Sequence, residues 1–158
     1  MDAKILILAK NDEWHPMEIL GEMVEGWLKH EGLDVTFSRD RSAVVSDINK
    51  YNLLIACITM NELSPEEEES LANFVEGGRR FMGIHSASVV SEKNQKYIDM
   101  IGGRFTHHSP YQEFTVKVAD PGHPVVSGLS DFKIQDELYV LDRTPPAASV
   151  LMTAFFED

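Results

Sequence analysis

The stretch "SPEEEESLANFVEGGRRFMGIHSAS", residues 64 to 88, reads as a helix, a strand and a sharp corner in close succession. Ser64 is followed at once by a proline and three residues later by a glutamate, which predicts a capped helix start. The helix is expected to run to Glu76, because a glycine pair follows it. The apolar run within residues 79 to 84 then predicts a strand. This segment indicates alternating helices and strands.

The N-terminal half repeats this alternation. Residues 4 to 9, "KILILA", and 52 to 59, "NLLIACIT", are short apolar runs typical of strands buried on both faces. A helix is expected from residue 16 to 30, and residues 33 to 38 alternate like a strand. The apolar residues at helical spacing in that helix are Met17, Leu20, Met23, Val24, Trp27 and Leu28. Such alternation predicts a mostly parallel sheet with helices on both faces.

The second half of the sequence predicts a different order of elements. Residues 94 to 101 predict a helix that ends at a second glycine pair. Residues 112 to 119 and 132 to 140 then alternate like strands. We expect either an antiparallel or edge extension of the sheet, or an excursion over its ligand-binding edge. The length of 158 residues suits one domain over residues 1 to 158.

Composition narrows the range of partners. The chain has 14 Lys and Arg against 26 Asp and Glu, a net charge of −12, and no basic cluster, so neither nucleic acid nor an anionic membrane is an expected partner. The apolar run at residues 5 to 9 is too short to span a membrane. Cys57 is the only cysteine, which excludes an intrachain disulfide and suits a reducing compartment. A cytoplasmic protein with a buried, inert thiol is expected.

Five histidines fall in loops that follow or join predicted strands. His15 and His85 each follow a strand of the parallel part, so both should project from the same carboxyl edge of the sheet, where ligands bind. His107 and His108 are neighbours in an extended segment, so only one of them is expected to join a given site. His123 lies in a turn rich in Pro and Gly, where a hydrogen-bonding role is as reasonable as a chemical one.

The acidic pair Asp136-Glu137 is the counterpart of these histidines. One of the two carboxylates should face inward, where it could orient an imidazole, act as a general base or complete a metal shell. The alternative is a solvated strand surface. The acidic run Glu66 to Glu69 is better explained as a first helical turn that complements the helix dipole than as a metal site.

Familiar catalytic motifs are missing. "GIHSA", residues 83 to 87, is not the G-x-S-x-G elbow of serine hydrolases, and Ser86 has no assignable partners of a triad. No G-x-G-x-x-G or Walker sequence occurs, so nucleotide binding has no motif support.

Five segments in order resemble the ThuA-like family, named for trehalose utilisation. They are "NDEWHP" at 11 to 16, "FMGIHSA" at 81 to 87, "MIGGRFTHHSP" at 100 to 110, "FTVKVADPGHPVVSGL" at 114 to 129 and "FKIQDELYV" at 132 to 140. The resemblance implies a flavodoxin-like three-layer sandwich, related to class I glutamine amidotransferases. In those enzymes a cysteine nucleophile occupies the elbow where this chain has His85, so glutaminase activity is not expected.

The resemblance also implies a role in the metabolism of trehalose or related keto-sugars. Its motifs place three catalytic candidates, His85, His108 and Glu137. The candidates for contacting a sugar substrate are His15, His107, His123, Asp136 and Ser86. We expect either histidine acid/base chemistry on the sugar, as in a hydrolase, lyase or isomerase, or a divalent metal, zinc first, that polarises its carbonyl. The alternative is a non-catalytic module for carbohydrate or small-molecule binding, or for assembly.

One departure from the family concerns length. Family members usually continue beyond the "DELY" strand with a further pair of strands, whereas this sequence stops at Asp158. We therefore expect a domain that is short at its C-terminus. The apolar surface left without its strands would favour a homo-oligomer, most simply a dimer.

Overall fold

The computed structural model describes residues 3 to 156. The chain forms two compact units, one up to Arg104 and one from Phe105 onward. The expectation of one domain over the whole chain stays a prediction. None of the helices between residues 3 and 156 combines the length and the hydropathy of a membrane-spanning segment.

The first unit is built on a parallel sheet of four strands. These are β1 (Lys4–Ala9), β2 (Asp34–Ser38), β3 (Leu53–Cys57) and β4 (Arg80–Gly83). They lie in the order β2-β1-β3-β4, with every neighbouring pair parallel. This is the order of the first strands of a flavodoxin-like sheet. The predicted parallel sheet is confirmed.

One helix follows each of these strands along the chain. The helices are α1 (Met17–His30), α2 (Ala43–Ser46), α3 (Pro65–Glu76) and α4 (Gln95–Ile101), with single 3-10 turns at Ile48–Lys50 and His85–Ser88. The predicted cap of α3 is present, because the Ser64 hydroxyl accepts from the Glu67 N–H at 3.2 Å and the Glu67 carboxylate accepts from the Ser64 N–H at 2.8 Å. Helix α4 ends at Gly102, whose φ of +90° needs a residue without a Cβ.

Strand β1 is buried on both faces. Ile5, Ile7 and Ala9 belong to the apolar cluster on the α1 side of the sheet. Leu6 and Leu8 belong to a second cluster, which includes residues of α2, α3 and α4. Because successive side chains of a strand point to opposite faces, the continuous apolar run is explained by helices on both sides. The three-layer α/β architecture is therefore confirmed.

Helix α1 buries only part of its apolar surface. Leu20, Val24 and Leu28 pack against the sheet. Met23 is 49% exposed and Trp27 is 61% exposed, although both fit the helical spacing. At 3.6 residues per turn these two side chains fall beside the stripe that meets the sheet, so spacing alone overstates the buried face.

The second unit consists of antiparallel strands. Strand β5 (Phe105–His108) pairs with β8 (Tyr139–Leu141), and β6 (Gln112–Val118) lies between β7 (Phe132–Asp136) and β9 (Met152–Thr153). Residues 112 to 119 do pair antiparallel with the next strand, but β5 to β9 form separate sheets of two and three strands. The expected extension of the parallel sheet is therefore not observed within residues 3 to 156.

Two expectations for this unit need correction. Residues 132 to 140 are not one strand, because β7 pairs with β6 whereas β8 pairs with β5. Strand β5 itself was not anticipated. An alternating pattern reports that a segment is extended, but it does not identify the strand that supplies its hydrogen-bond partners.

Two glycines of α1 should respond oppositely to alanine. A Cβ at Gly21 would lie 2.5 Å from the Cβ of Ala9, whereas one at Gly26 would meet nothing within 4 Å. Gly21→Ala should therefore destabilise the protein by about 1–3 kcal/mol through overpacking. Gly26→Ala should stabilise it by about 0.5–1 kcal/mol, because alanine favours the helix. Urea unfolding followed by circular dichroism measures both, and shifts in the same direction would contradict the packing of α1.

Candidate functional site

The loops that follow β1, β3 and β4 collect at one edge of the parallel sheet. The strand order reverses between β1 and β3, because the chain continues to β2 on one side and to β4 on the other. In open α/β sheets this reversal opens a crevice at the carboxyl ends of the strands. Residues 10 to 16 follow β1, residues 58 to 64 follow β3, and residues 84 to 88 follow β4.

The carboxylate of Asp12 is the centre of this edge. It accepts hydrogen bonds from the backbone N–H groups of Trp14 at 2.8 Å and His15 at 2.7 Å, and from His15 Nδ1 at 3.0 Å. The Thr59 hydroxyl donates to the same carboxylate. Asp12 thus joins the loop after β1 to the loop after β3.

These hydrogen bonds decide the charge of Asp12 and the tautomer of His15. Burial raises the pKa of the Asp12 carboxyl, but the hydrogen bonds from Thr59 and His15 and from two backbone N–H groups outweigh it and hold that pKa well below its usual range. An ionised carboxylate can only accept, so His15 Nδ1 carries the shared hydrogen. The Nε2 atom of a neutral His15 then keeps its lone pair.

His15 and His85 lie against each other. Their ring centroids are 5.0 Å apart with the planes at 77°, an edge-to-face contact. The side chain of His15 is 20% exposed, so it remains reachable from solvent. The expectation that these two histidines share one sheet edge agrees with this contact.

His85 occupies a strained corner. Its φ of +51° lies in the left-handed region, which residues other than glycine rarely adopt. The corner is tight, since a Cβ at Gly83 would lie 3.1 Å from the Cβ of Ala87. The Tyr97 hydroxyl donates to the Ala87 carbonyl at 2.9 Å, which stabilises the turn. The nucleophile elbow of hydrolases likewise follows a strand, although here a 3-10 turn over His85–Ser88 comes next and α4 begins only at Gln95.

Ser86 is the residue after this corner, and it is fully buried. Its hydroxyl has no hydrogen-bond partner among residues 3 to 156. Buried hydroxyls are usually satisfied, so this one leaves an unused donor and acceptor next to His85.

The second unit places His108 beside Glu137. His108 Nδ1 lies 2.7 Å from the Ser109 carbonyl, which can only accept, so Nδ1 carries a hydrogen and Nε2 is the basic atom of the neutral ring. Glu137 Oε1 lies 3.9 Å from the same Nδ1. The His108 ring also stacks on Tyr139, with centroids 6.1 Å apart.

The other candidates of this unit have local roles. His107 Nδ1 lies 3.0 Å from the Thr106 hydroxyl, so of the two neighbouring histidines it is His108 that accompanies Glu137. His123 Nδ1 accepts from the Val125 N–H at 3.3 Å and caps a short 3-10 turn. Asp136 is exposed and accepts from the Glu137 N–H at 2.8 Å, whereas Glu137 is half-buried.

The structure thus brings together His15 with His85 and, in the other unit, His108 with Glu137. The functional roles assigned to these residues stay predictions. Asp12 and Thr59 were not anticipated, although an aspartate three residues before a histidine in a loop is a recognisable turn signal. Burial raises the pKa of the Cys57 thiol to about 11, which fits an inert thiol. Among the described side chains, no group of three or more His, Cys, Asp or Glu could hold a metal ion.

Comparison with known proteins identifies a matching family. A family model named ThuA, described as trehalose utilisation, matches residues 4 to 158. No curated protein matches the chain.

Solved structures share the fold. A ThuA-like protein from Parabacteroides merdae matches with a TM-score of 0.81 and 19% identity, over 99% of this chain and 70% of the other. A ThuA-like protein from Bacteroides uniformis matches with a TM-score of 0.78 and 20% identity, over 96% and 67% of the two chains. A glutamine amidotransferase from Thermotoga maritima matches with a TM-score of 0.59 and 13% identity, over 97% and 67%. The relation to glutamine amidotransferase-like folds is therefore confirmed.

Removal of the Asp12 charge should destabilise the protein in a pH-dependent way. Because the pKa of Asp12 is lowered in the folded protein, its charge contributes stability above the unfolded pKa of about 3.9, and that contribution is lost as pH falls. Asp12→Asn should cost roughly 1–3 kcal/mol at neutral pH, and less at pH values below about 4. Urea unfolding across pH measures this difference.

Asp34→Asn is the control for that experiment. Asp34 is exposed at the start of β2, and its side chain makes no hydrogen bond or ion pair with the described residues. This change should alter the free energy of unfolding by less than about 0.5 kcal/mol. An equal cost for Asp12→Asn and Asp34→Asn would contradict the role given to the Asp12 hydrogen bonds.

The strain at His85 can be measured by comparing two replacements. Glycine adopts a φ near +51° freely, whereas alanine does not. Both changes remove the imidazole, so their difference isolates the backbone. His85→Gly should be more stable than His85→Ala by about 1 kcal/mol. Thermal unfolding of the two variants measures this, and a more stable alanine variant would refute the strained corner.

Proposed function

The chain belongs to the ThuA family, described as trehalose utilisation, and from this membership we propose an enzyme of carbohydrate metabolism that transfers a proton on a sugar. The observation that carries the proposal is the contact series Asp12, His15 and His85. An ionised carboxylate, an imidazole oriented by it and a second imidazole at a strained corner are the parts of a general acid/base pair.

The proposed general base is His15. Asp12 binds its Nδ1 and fixes the tautomer of the neutral ring, so the lone pair that can accept a proton lies on Nε2. A carbohydrate carbonyl makes the hydrogen on the neighbouring carbon acidic. His15 Nε2 takes that proton, and the electron pair of the C–H bond moves toward the carbonyl oxygen.

The proposed general acid is His85. Its ring lies 5.0 Å from that of His15, so both imidazoles can reach neighbouring atoms of one small substrate. A protonated His85 would donate to the oxygen on which negative charge develops. Isomerases and lyases that act on keto-sugars use proton transfer of this kind, which is why a keto-sugar is the proposed substrate class.

His108 and Glu137 keep their predicted catalytic role within the second unit. The Ser109 carbonyl occupies Nδ1 of His108, so its Nε2 atom is available for proton transfer. The same chemistry would serve a non-catalytic sugar-binding module, in which these groups only hydrogen-bond to hydroxyls. Such a module would bind sugar without converting it.

A cytoplasmic location, a homo-oligomer and the exclusion of nucleic-acid and membrane partners all stay predictions.

Proton transfer can be tested by exchange with solvent deuterium. Keto-sugars prepared from trehalose and glucose are incubated with the protein in D₂O, and deuterium at the carbon next to the carbonyl is followed by NMR. His15→Gln and His85→Ala should each slow this exchange by roughly 10²–10⁴-fold, the usual contribution of a general acid or base.

His30→Gln is the matched control. His30 lies in the last turn of α1, away from the loops at the carboxyl edge of the sheet, and its replacement should leave the exchange rate unchanged. The proposal fails if exchange persists in both active-site variants, or if it is absent from the wild-type protein.

A further inference from the structure

A polar cavity opens within the first unit, where the strand order reverses. Its volume is about 210 Å³. The residues that line it are Lys10, Asn11, Asp12, Arg41, Ile58, Thr59 and Asn61. Asp12 also binds His15, so one carboxylate borders both this cavity and the histidine pair. None of these lining residues, Asp12 included, was anticipated as a site residue from the sequence.

The walls of the cavity are fixed by hydrogen bonds. The Arg41 guanidinium donates to the Glu67 carboxylate at 2.7 Å and to backbone carbonyls within residues 60 to 62 at 2.9 and 3.3 Å. Asn11 and Glu18 bond reciprocally, at 2.8 Å from the Glu18 N–H and 3.4 Å from the Asn11 N–H. The Arg41 charge is therefore already paired, and the cavity has its shape before any ligand arrives.

Two exposed lining side chains can still bind a ligand. Within residues 3 to 156, the Lys10 ammonium and the Asn61 amide make no side-chain hydrogen bond, and Lys10 interacts only through longer-range attraction to the Glu18 and Asp40 carboxylates. The backbone of Asn61 is nevertheless firmly held, since its N–H donates to the Val89 carbonyl at 3.0 Å and its C=O accepts from the Ser91 N–H at 2.6 Å. These bonds keep Asn61 at a φ of +52°, a conformation that is unfavourable in free energy for a residue with a side chain.

This set of groups favours a neutral ligand rich in hydroxyls. An ammonium donates, a carboxylate accepts and an amide does both, whereas each sugar hydroxyl is both donor and acceptor. An anion would be repelled by Asp12 and by a chain whose net charge is −12. The volume lies below the roughly 300 Å³ at which pockets for drug-sized ligands begin, so one ring fits rather than two.

We propose that this cavity holds one ring of a neutral sugar through Lys10, Asn61 and Asp12, next to the histidine pair. The inference rests on the proposed function, because it names where the sugar of that reaction is held. Lys10 and Asn61 are binding residues here and move no proton. The cavity accordingly decides which sugar is accepted, whereas His15 and His85 decide what happens to it.

The test is equilibrium binding of glucose and of trehalose to the full chain, measured by NMR titration. Lys10→Met removes the ammonium. Asn61→Gly removes the amide and keeps the backbone, because glycine adopts a φ of +52° without strain. Each variant should bind both sugars at least about tenfold more weakly, a loss of about 1.4 kcal/mol. Lys117→Met, at an exposed lysine of β6, should bind as the wild type does.

His85→Ala separates this inference from the proposed function. That variant should lose deuterium exchange and still bind glucose with wild-type affinity. If the wild type binds sugar through Lys10 and Asn61 but catalyses no exchange, the cavity stands and the proposed reaction falls. The cavity proposal is overturned if the wild type binds neither sugar, or if Lys10→Met and Asn61→Gly bind both as tightly as the wild type. Tighter binding of inorganic phosphate than of glucose, lost in Lys10→Met, would likewise overturn it in favour of an anion site.

Discussion

Burial of β1 and β3 on both faces is the constraint on which the rest of the first unit depends. Ile5 to Ala9 are at most 3% exposed, so helices must cover both sides of the sheet. With α1 on one face and α2 to α4 on the other, every strand of this sheet runs in the same direction. The loops that follow the strands therefore meet at one edge. Polar side chains are excluded from the buried strands, so they collect in these loops.

Asp12 converts that edge into a defined site. Its carboxylate accepts from backbone and side-chain donors on the loops after β1 and β3, which keeps it charged and holds His15 in one tautomer. The same carboxylate borders the polar cavity. A single charged group thus links the wall of the cavity to the tautomer of a histidine, and both proposals about function depend on it.

The corner at His85 shows how one fold supports different chemistry. Gly83 and Ala87 permit a tight turn, and the turn presents whichever side chain occupies its apex. The chain shares its fold with a glutamine amidotransferase, yet it has an imidazole at this corner and keeps its one thiol, Cys57, buried within β3. An imidazole at this apex suits the proton transfer that we propose, whereas attack by a thiolate would need a cysteine there.

The sequence by itself determined the strands of the first unit, its helices α1, α3 and α4 and the corner that carries His85, because periodicity and helix caps depend on neighbours a few residues apart. The short helix α2 was not predicted. The sequence also placed His15 and His85 at one edge, since a parallel sheet sends both loops there. Only the tertiary structure decided that Thr59 binds Asp12, that β7 and β8 pair with different strands and that Met23 stays exposed. Each of these depends on which distant surfaces pack together, and no local pattern records the partner of a side chain 47 positions away in the chain.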